Sequence, residues 1–460
     1  MKDLTQGSIG GHLVRLAVPL AAGMVFQTLY YLVDLYFVAK LGDAAIAGVS
    51  AAGNVQFIVM ALTQILGVGT MALIAHAIGR KDRADANLIF NQSLGLAALA
   101  AGATAVGGYA LSGAYMSRLG ADPATVAAGT SYLHWFLPGL ALQFALVVMG
   151  SALRGTGIVK PTMLVQIFTV VLNAVLAPIL IAGWLTGKPL GVAGAGLATT
   201  IAIAVGVVML WVYFRVLEKY VAVDAAMLRP QVAVWRRILA IGLPPGGEFA
   251  LMFVYMALIY WIIRDFGAAA QAGYGIGSRV MQAIFLPAMA VAFAVAPLAG
   301  QNFGARQFDR VRQSFRTASV LGSGIMLVLT LMCQWQPEWF IRGFTTEPAV
   351  IEVGGQFLRY ISWNFVAVGL VFTCSGMFQA LGNTLPALWS SATRLATFAI
   401  PAVWLARRPG FALTHLWLLS VATVALQAVV SLGLLWAEFR RVGARNEELA
   451  AVAGAGATAP

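Results

Sequence analysis

Apolar stretches of about 20 residues or more, separated by short polar breaks, recur along the whole chain. That is the length an α-helix needs to cross a bilayer. The pattern predicts helices over 13–39, 46–77, 88–115, 128–153, 161–184, 191–215, 238–263, 271–300, 314–341, 353–380, 386–406 and 412–437, twelve in all. Composition sharpens the picture: 60% of the 460 residues are hydrophobic, 10% are charged and the mean hydropathy is +0.84. About a quarter of the residues of a soluble domain are charged. The expected class is therefore an all-α integral membrane protein. The polar start "MKDLTQGSIGG" precedes an apolar run of about 28 residues, unlike the short core and cleavage site of a leader peptide, so no cleavage is expected.

Laid over itself so that Pro19 meets Pro244, the sequence repeats without a gap as far as Pro161 over Pro386. Gly42 meets Gly267, Gly48 meets Gly273, Gly79 meets Gly304, Gly129 meets Gly354 and Gly157 meets Gly382. Three of the four prolines before residue 162 meet prolines. The chain is thus a duplication with six helices per copy, an even number, so the two copies run parallel. Transporters built this way alternate access around a central cavity. The long polar stretch 216–237 marks the boundary, giving an N-lobe over 1–221, a C-lobe over 222–445 and a low-complexity tail over 446–460 that is expected to be disordered.

The net charge of +12 raises the possibility of nucleic acid. The basic residues, however, alternate between loops: Arg80, Lys81, Arg83, Arg154, Lys160, Arg306, Arg310, Arg312, Arg316, Arg440 and Arg441 fall on one side, against Lys40, Arg118, Lys188, Arg264, Arg342, Arg407 and Arg408 on the other. The positive-inside rule then places both termini in the cytoplasm and removes the argument for a nucleic-acid partner. Cys333 and Cys374 lie in different helices without a third ligand nearby, and read as small buried apolar residues. No metal site is expected.

If the duplication supplies the scaffold, chemistry belongs where the copies differ. Asp34 corresponds to Ile259, Asn173 to Phe398, and Glu248 to Gly23. An Asp at a helix centre costs roughly 2.5–3.5 kcal/mol on insertion scales, so it needs a partner, water or a proton. Gly23, Gln27, Tyr30 or Tyr31, and Asp34 recur on one helical face, and Gln166, Thr169 or Val170, and Asn173 repeat the pattern on the fifth helix. These are the candidates for cation or proton coupling, the alternative being a satisfied polar cluster that holds helices together. Glu248, Met252, Tyr255 and Met256 form a second stripe suited to an organic ligand, with flexible Met and flat aromatic surfaces beside a carboxylate. The alternative for Glu248 is an ion pair with Arg394 or Arg279. His76 and His134, near helix ends, read as interfacial.

Several segments together resemble the multidrug and toxic compound extrusion (MATE) family over nearly the whole chain. They are "LAVPLAAGMVFQTLYYLVDLYFVAKLG", "ALRGTGIVKPTMLVQIFTVVLNAVLAPILI", "GVAGAGLATTIA", "GLPPGGE" and "LAGQNFGAR". The resemblance implies a non-enzymatic antiporter in the bacterial inner membrane. It would export organic, often cationic or aromatic compounds against protons or sodium, as a monomer without a cofactor. It assigns Asp34 and Asn173 to the N-lobe cation site. The proton-coupled branch often carries a second Asp one turn after that Asn, where this chain has Ala177. Glu248 sits about one turn before the acid of the sodium-coupled branch, so the coupling ion stays open between the two, with a lean to protons. A lipid-linked oligosaccharide flippase of the same superfamily is the alternative, but it would line its cavity with several basic residues where only Arg279 and Arg394 are available. A membrane prenyltransferase would need clustered Asp residues for magnesium diphosphate or a zinc-type His and Glu motif.

Overall fold

A computed structural model of the chain describes residues 2–29, 36–120, 122–218 and 220–444. Asp34, Tyr30, Tyr31 and the tail 446–460 lie outside the described residues. The helices are α1 (Ile9–Ala39), α2 (Asp43–Gly79), α3 (Arg83–Leu119), α4 (Pro123–Gly155), α5 (Lys160–Ile181), α6 (Val192–Val216), α7 (Val232–Ile263), α8 (Ala268–Gly304), α9 (Phe308–Trp335), α10 (Pro337–Arg342), α11 (Pro348–Ile361), α12 (Phe365–Leu381), α13 (Leu385–Ala406) and α14 (Leu413–Gly456). Among the described residues, eleven spans are long and apolar enough to cross a membrane, with α11 and α12 counted as one over Pro348–Leu381. The 22-residue α13, which carries Arg394 in its middle, is the twelfth. The chain is an all-α integral membrane protein of two six-helix repeats.

Three expected helices need correction. The one over 314–341 is broken at Gln336, where an extended backbone (φ −146°, ψ 77°) lets Pro337 open α10 at a first-turn position. Proline's missing N–H costs nothing there. The one over 353–380 is two helices joined by a 3₁₀ turn, Ser362–Asn364. The one over 161–184 stops at Ile181, because Gly183 turns the chain with a positive φ of 75°.

By contacts the chain divides into two units, 1–7 with 14–246, and 8–13 with 247–460, so the division falls inside α7. In the first unit α2 packs on α3 and α4, α4 packs on α3 and α6, and α5 packs on α6. The second unit repeats this scheme: α8 packs on α9, α11 and α12, α12 packs on α9 and α14, and α13 packs on α14. The turns repeat atom by atom. After α2, Lys81 N–H donates to Ile78 O and Asp82 N–H to Ala77 O; after α8, Arg306 N–H donates to Phe303 O and Gln307 N–H to Asn302 O. Lys81 and Arg306 share a left-handed backbone, with φ of 60° and 59°. Gly157 and Gly382, with φ of 76° and 73°, close α4 and α12 with matching bonds to Arg154 O and Gln379 O. Only glycine enters that region without a steric penalty.

The surface follows the membrane reading. Val106 and Ile400 are each 73% exposed, while Asn91, Gln92, Asn173, Gln301 and Asn302 are fully buried. Apolar side chains outside and polar ones inside suit a hydrocarbon solvent. At helix ends, the Arg215 and Arg408 guanidinium groups lie 5.1 and 4.2 Å from the ring centroids of Trp211 and Trp404, the pairing expected where lipid meets water. Residues 220–231, which follow α6, are tied to α3. Ala222 N–H and Asp224 N–H donate to the side chains of Asn87 and Asn91 at 2.8 and 2.9 Å, and Gln92 Nε2 donates to Met227 O and Arg229 O at 2.6 and 2.7 Å.

Two of the shared glycines mark close crossings. A Cβ on Gly48 would lie 2.7 Å from Gly129 N, and one on Gly273 would lie 2.8 Å from the Val353 Cβ and 3.0 Å from Gly354 N. Backbone cannot yield as a side-chain tip can, so Gly48→Val and Gly273→Val should each lower stability by about 1–3 kcal/mol or more. Gly53→Ala, with nothing within 4 Å of its Cβ, should change stability by no more than about 1 kcal/mol. Thermal unfolding of the detergent-solubilised protein checks all three; equal effects would contradict the crossing argument.

Candidate functional site

The repeat register pairs α1 and α5 of one copy with α7 and α13 of the other, and the expected site residues sit on these four helices. In the first unit, Gln166 reaches from α5 towards α1. A Cβ on Gly23 would lie 2.6 Å from Gln166 Oε1. Thr169 donates its hydroxyl to Gln166 O at 2.9 Å and packs against Gly206 of α6. Asn173, two turns along from Gln166, is fully buried, as is Ala177. Gln27 is half-buried on α1, four residues from Gly23. The structure thus brings Gly23 and Gln166 together and buries Asn173 on the same helix. Asp34 and Tyr31 lie outside the described residues.

The equivalent place in the second unit is built with the opposite polarity of size. Where the first unit sets Gly23 against Gln166, the second sets their repeat counterparts, Glu248 on α7 and Ser391 on α13, near each other. A small residue facing a long amide has become a long acid facing a small hydroxyl, so similar volume is filled from opposite sides. Glu248 makes no ion pair among the described residues, and its Oε1 is buried without a hydrogen-bond partner. This corrects the expected pairing: Arg279 is exposed on α8, and Arg394 lays its guanidinium 4.4 Å from the Tyr255 ring centroid instead. The Tyr255 hydroxyl shares a hydrogen bond with Ser420 at 2.9 Å, and its ring lies 4.7 Å from Phe398. Arg394 Nε is also buried without a hydrogen-bond partner. One turn further along, Ile259 on α7 and Phe398 on α13, the counterparts of Asp34 and Asn173, are 3% and 0% exposed and close this end of the cluster with apolar surface.

Of the expected organic-ligand stripe, Glu248 and Tyr255 converge on α13, Met256 is half-buried and Met252 is 42% exposed. Ser391 and Arg394 complete the cluster, and the sequence reading did not place them together with Tyr255. Their signal was available, since in the repeat register they stand over Gln166 and Thr169. Behind them a polar seam joins α13 to α14: Ser390 and Ser431 share a hydrogen bond of 2.6 Å, and Gln427 Nε2 donates to Ser391 Oγ at 3.5 Å. His134 is exposed and contacts the Ser112 hydroxyl at 3.2 Å, while His76 is buried near the end of α2. Cys333 and Cys374 are buried and free. Among the described residues no group of three or more His, Cys, Asp or Glu could hold a metal ion. The second-unit cluster therefore offers a carboxyl, hydroxyls and a guanidinium within largely apolar walls, groups that bind ions or polar ligand atoms.

This arrangement belongs to a known class of membrane transporter. The MatE family model matches residues 19–179 and again 244–405, two copies whose starts coincide with the Pro19 and Pro244 of the repeat register. The chain belongs to the MatE family. It is 28% identical over 419 residues to the probable multidrug resistance protein YpnP of Bacillus subtilis, covering 90% of this chain and 91% of that one. It is 26% identical over 384 residues to the multidrug export protein MepA of Staphylococcus aureus, covering 81% of each. Its fold is similar to that of a MOP superfamily transporter from Pyrococcus furiosus, with a TM-score of 0.89 over 96% of this chain and 98% of that one at 24% identity.

The close approach of Gly23 and Gln166 gives a specific expectation. Gly23→Ala should cost about 1 kcal/mol by displacing the amide, and the same change in a Gln166→Ser background should cost nothing, a coupling within the usual range of about 0.5–3 kcal/mol for residues in contact. Thermal unfolding of the four proteins of that double-mutant cycle measures it, and additive effects would show that the two positions do not share space.

Proposed function

We propose that the chain is a secondary active antiporter that exports organic compounds, cationic or aromatic, across a bacterial inner membrane in exchange for protons or sodium. The observation that carries this reading is the uneven placement of polar groups in an otherwise repeated scaffold. The first repeat buries Asn173 where the second buries Phe398, and the second carries Glu248 where the first has Gly23. A protein that needed only helix packing could use the apolar version in both places. Membership of a family whose relatives are named as multidrug export or resistance proteins supports the class of substrate.

In this reading Asp34, with Asn173, Gln166, Gln27 and Tyr31 around it, is the coupling group. A carboxyl among apolar helices takes up a proton or a cation because the charged form is poorly solvated there. Binding at Asp34 changes the contacts of α1, and that change releases the substrate. Glu248, Tyr255 and Arg394 form the organic-ligand side: the tyrosine ring offers a flat face, the carboxyl a counter-charge to a cation. Positive-inside asymmetry supports cytoplasmic termini, and in this reading the transporter works as a monomer with no cofactor other than the coupling ion.

Asp34→Asn should leave the protein folded and inserted but abolish efflux of a dye cation from proteoliposomes driven by a proton gradient; full activity in that variant would overturn the coupling assignment. Imposing a proton gradient alone and then a sodium gradient alone identifies the ion, with transport expected under at least one. Glu248→Gln should weaken export of cationic substrates several-fold more than export of neutral ones, whereas equal losses would assign Glu248 a structural role.

A further inference from the structure

The turn between α8 and α9 differs in charge from its counterpart between α2 and α3, although their backbones coincide. In the first unit that turn carries two acids. Asp82 caps α3 by accepting from Asp85 N–H at 3.0 Å, and the Asp85 carboxylate pairs with Arg80 at 2.7 Å and Arg237 at 3.3 Å. Their counterparts in the second unit are Gln307 and Arg310, and Asn87, which holds residues 220–222 on α3, has become Arg312. The change removes the carboxylates from the capping and pairing positions and adds two guanidinium groups in their neighbourhood. A cleft of about 480 Å³ lies there, lined by Arg306, Gln307, Phe308, Asp309, Arg310, Arg312 and Gly443.

The cleft is constructed, not merely a gathering of surface charge. Asn302, fully buried at the end of α8, donates to Leu298 O at 2.7 Å and accepts from Arg310 Nε at 2.9 Å, which fixes that guanidinium at the wall. Arg306 is held out of the helix by its left-handed backbone. Arg312 stands close to Gly443 of α14: its Nη2 would lie 3.8 Å from a Cβ there. Arg306 and Arg312 make no ion pair among the described residues, and the one acid in the lining, Asp309, makes none either. Gln307 Oε1 is buried without a hydrogen-bond partner, an acceptor that a ligand hydroxyl would satisfy. Beside the arginines the surface turns apolar, with Phe308 against Phe303 at 5.9 Å and Phe315 against Phe439 at 6.1 Å between ring centroids.

We propose that this cleft binds the phosphodiester headgroup of an anionic phospholipid, with the phosphate on Arg306, Arg310 and Arg312 and a headgroup hydroxyl on Gln307. Guanidinium forks match phosphate oxygens in pairs, and basic pockets at the cytoplasmic ends of membrane helices attract anionic headgroups. The positive-inside pattern places the cleft in that leaflet, and the adjoining aromatic pairs suit the start of an acyl chain better than a free inorganic ion. The site is in the second repeat alone, because in the first Asp85 engages Arg80, and the place of Arg312 is taken by Asn87, which is bonded to residues 220–222.

The test is native mass spectrometry of the full chain in detergent, titrated with phosphatidylglycerol, with phosphatidylcholine of the same acyl chains, and with inorganic phosphate. Phosphatidylglycerol should bind at least fivefold tighter than phosphatidylcholine. That preference should fall at least fivefold in Arg306→Asn/Arg312→Gln, where Asn tolerates the left-handed backbone, and more steeply in the single variant Arg312→Glu. Lys81→Asn, at the matching turn of the first repeat, should leave it unchanged. Equal binding of the two lipids, or a preference unaffected by the arginine variants at unchanged unfolding temperature, would overturn the proposal. Displacement of phosphatidylglycerol by millimolar inorganic phosphate would overturn the lipid assignment in favour of a free anion.

Discussion

Hydrocarbon offers no partner to a backbone N–H or carbonyl, so a chain this apolar must satisfy its own backbone, and the helix is the local way to do it. Everything else in this protein is arranged around that demand. Helices that already satisfy their backbones associate through close packing, which explains why glycine sits where Gly48 meets Gly129 and where Gly273 meets Gly354. Where a helix ends near another, the freed carbonyls are taken up by tight turns whose left-handed residues, Lys81 and Arg306 or Gly157 and Gly382, recur in both repeats. The duplication copies solutions to one problem of backbone accounting.

Within such a scaffold a buried polar side chain stands out, because packing does not ask for it. The contrast at the Gly23 and Glu248 positions is the most informative. Both repeats fill the gap between their first and fifth helices, one with an amide from the fifth helix and the other with a carboxyl from the first. Volume is conserved and chemistry is exchanged. The same exchange occurs one to two turns on, where a fully buried amide at Asn173 stands in the place of a phenyl ring at Phe398. A buried amide must be supplied with hydrogen bonds, at a cost of about 1–3 kcal/mol where they are missing, whereas burying a phenyl ring is favourable without them. The first repeat therefore meets a demand that the second shows to be unnecessary for folding.

Much of this was legible in the sequence because its strongest signals are those that single residues fix. Run length identified the twelve spans, and most of the glycines that recur between the repeats sit at a positive φ or a close approach where a side chain would be strained. Hydropathy failed where backbone geometry intervenes without a change in polarity, as at Gln336 and Pro337 or at the turn Ser362–Asn364 inside one apolar span. Side-chain partners were harder. Arg394 suggested a carboxylate partner, and it has the Tyr255 ring instead, because a guanidinium gains from an aromatic face almost anywhere one is within reach. The hold of Asn87, Asn91 and Gln92 on residues 220–231 gave no sequence signal either, since amides bonded to backbone leave no partner residue to recognise.

The second repeat also shows why the polar groups of the two lobes need not do the same work. Glu248 stands beside a hydroxyl, with an arginine committed to a tyrosine ring one turn away, while Ile259 and Phe398 seal the level at which the first repeat holds Asn173. A charge placed at Glu248 meets a flat aromatic surface and a few hydroxyls; a charge placed near Asn173 meets a buried amide. Hydroxyl and aromatic surfaces accommodate bulky, weakly hydrated ligands, and convergent amides and carboxyls replace the shell of a small, strongly hydrated one. In the proposed reading, a coupling ion in one repeat and an organic compound in the other match those two environments, without any need for the lobes to differ in fold.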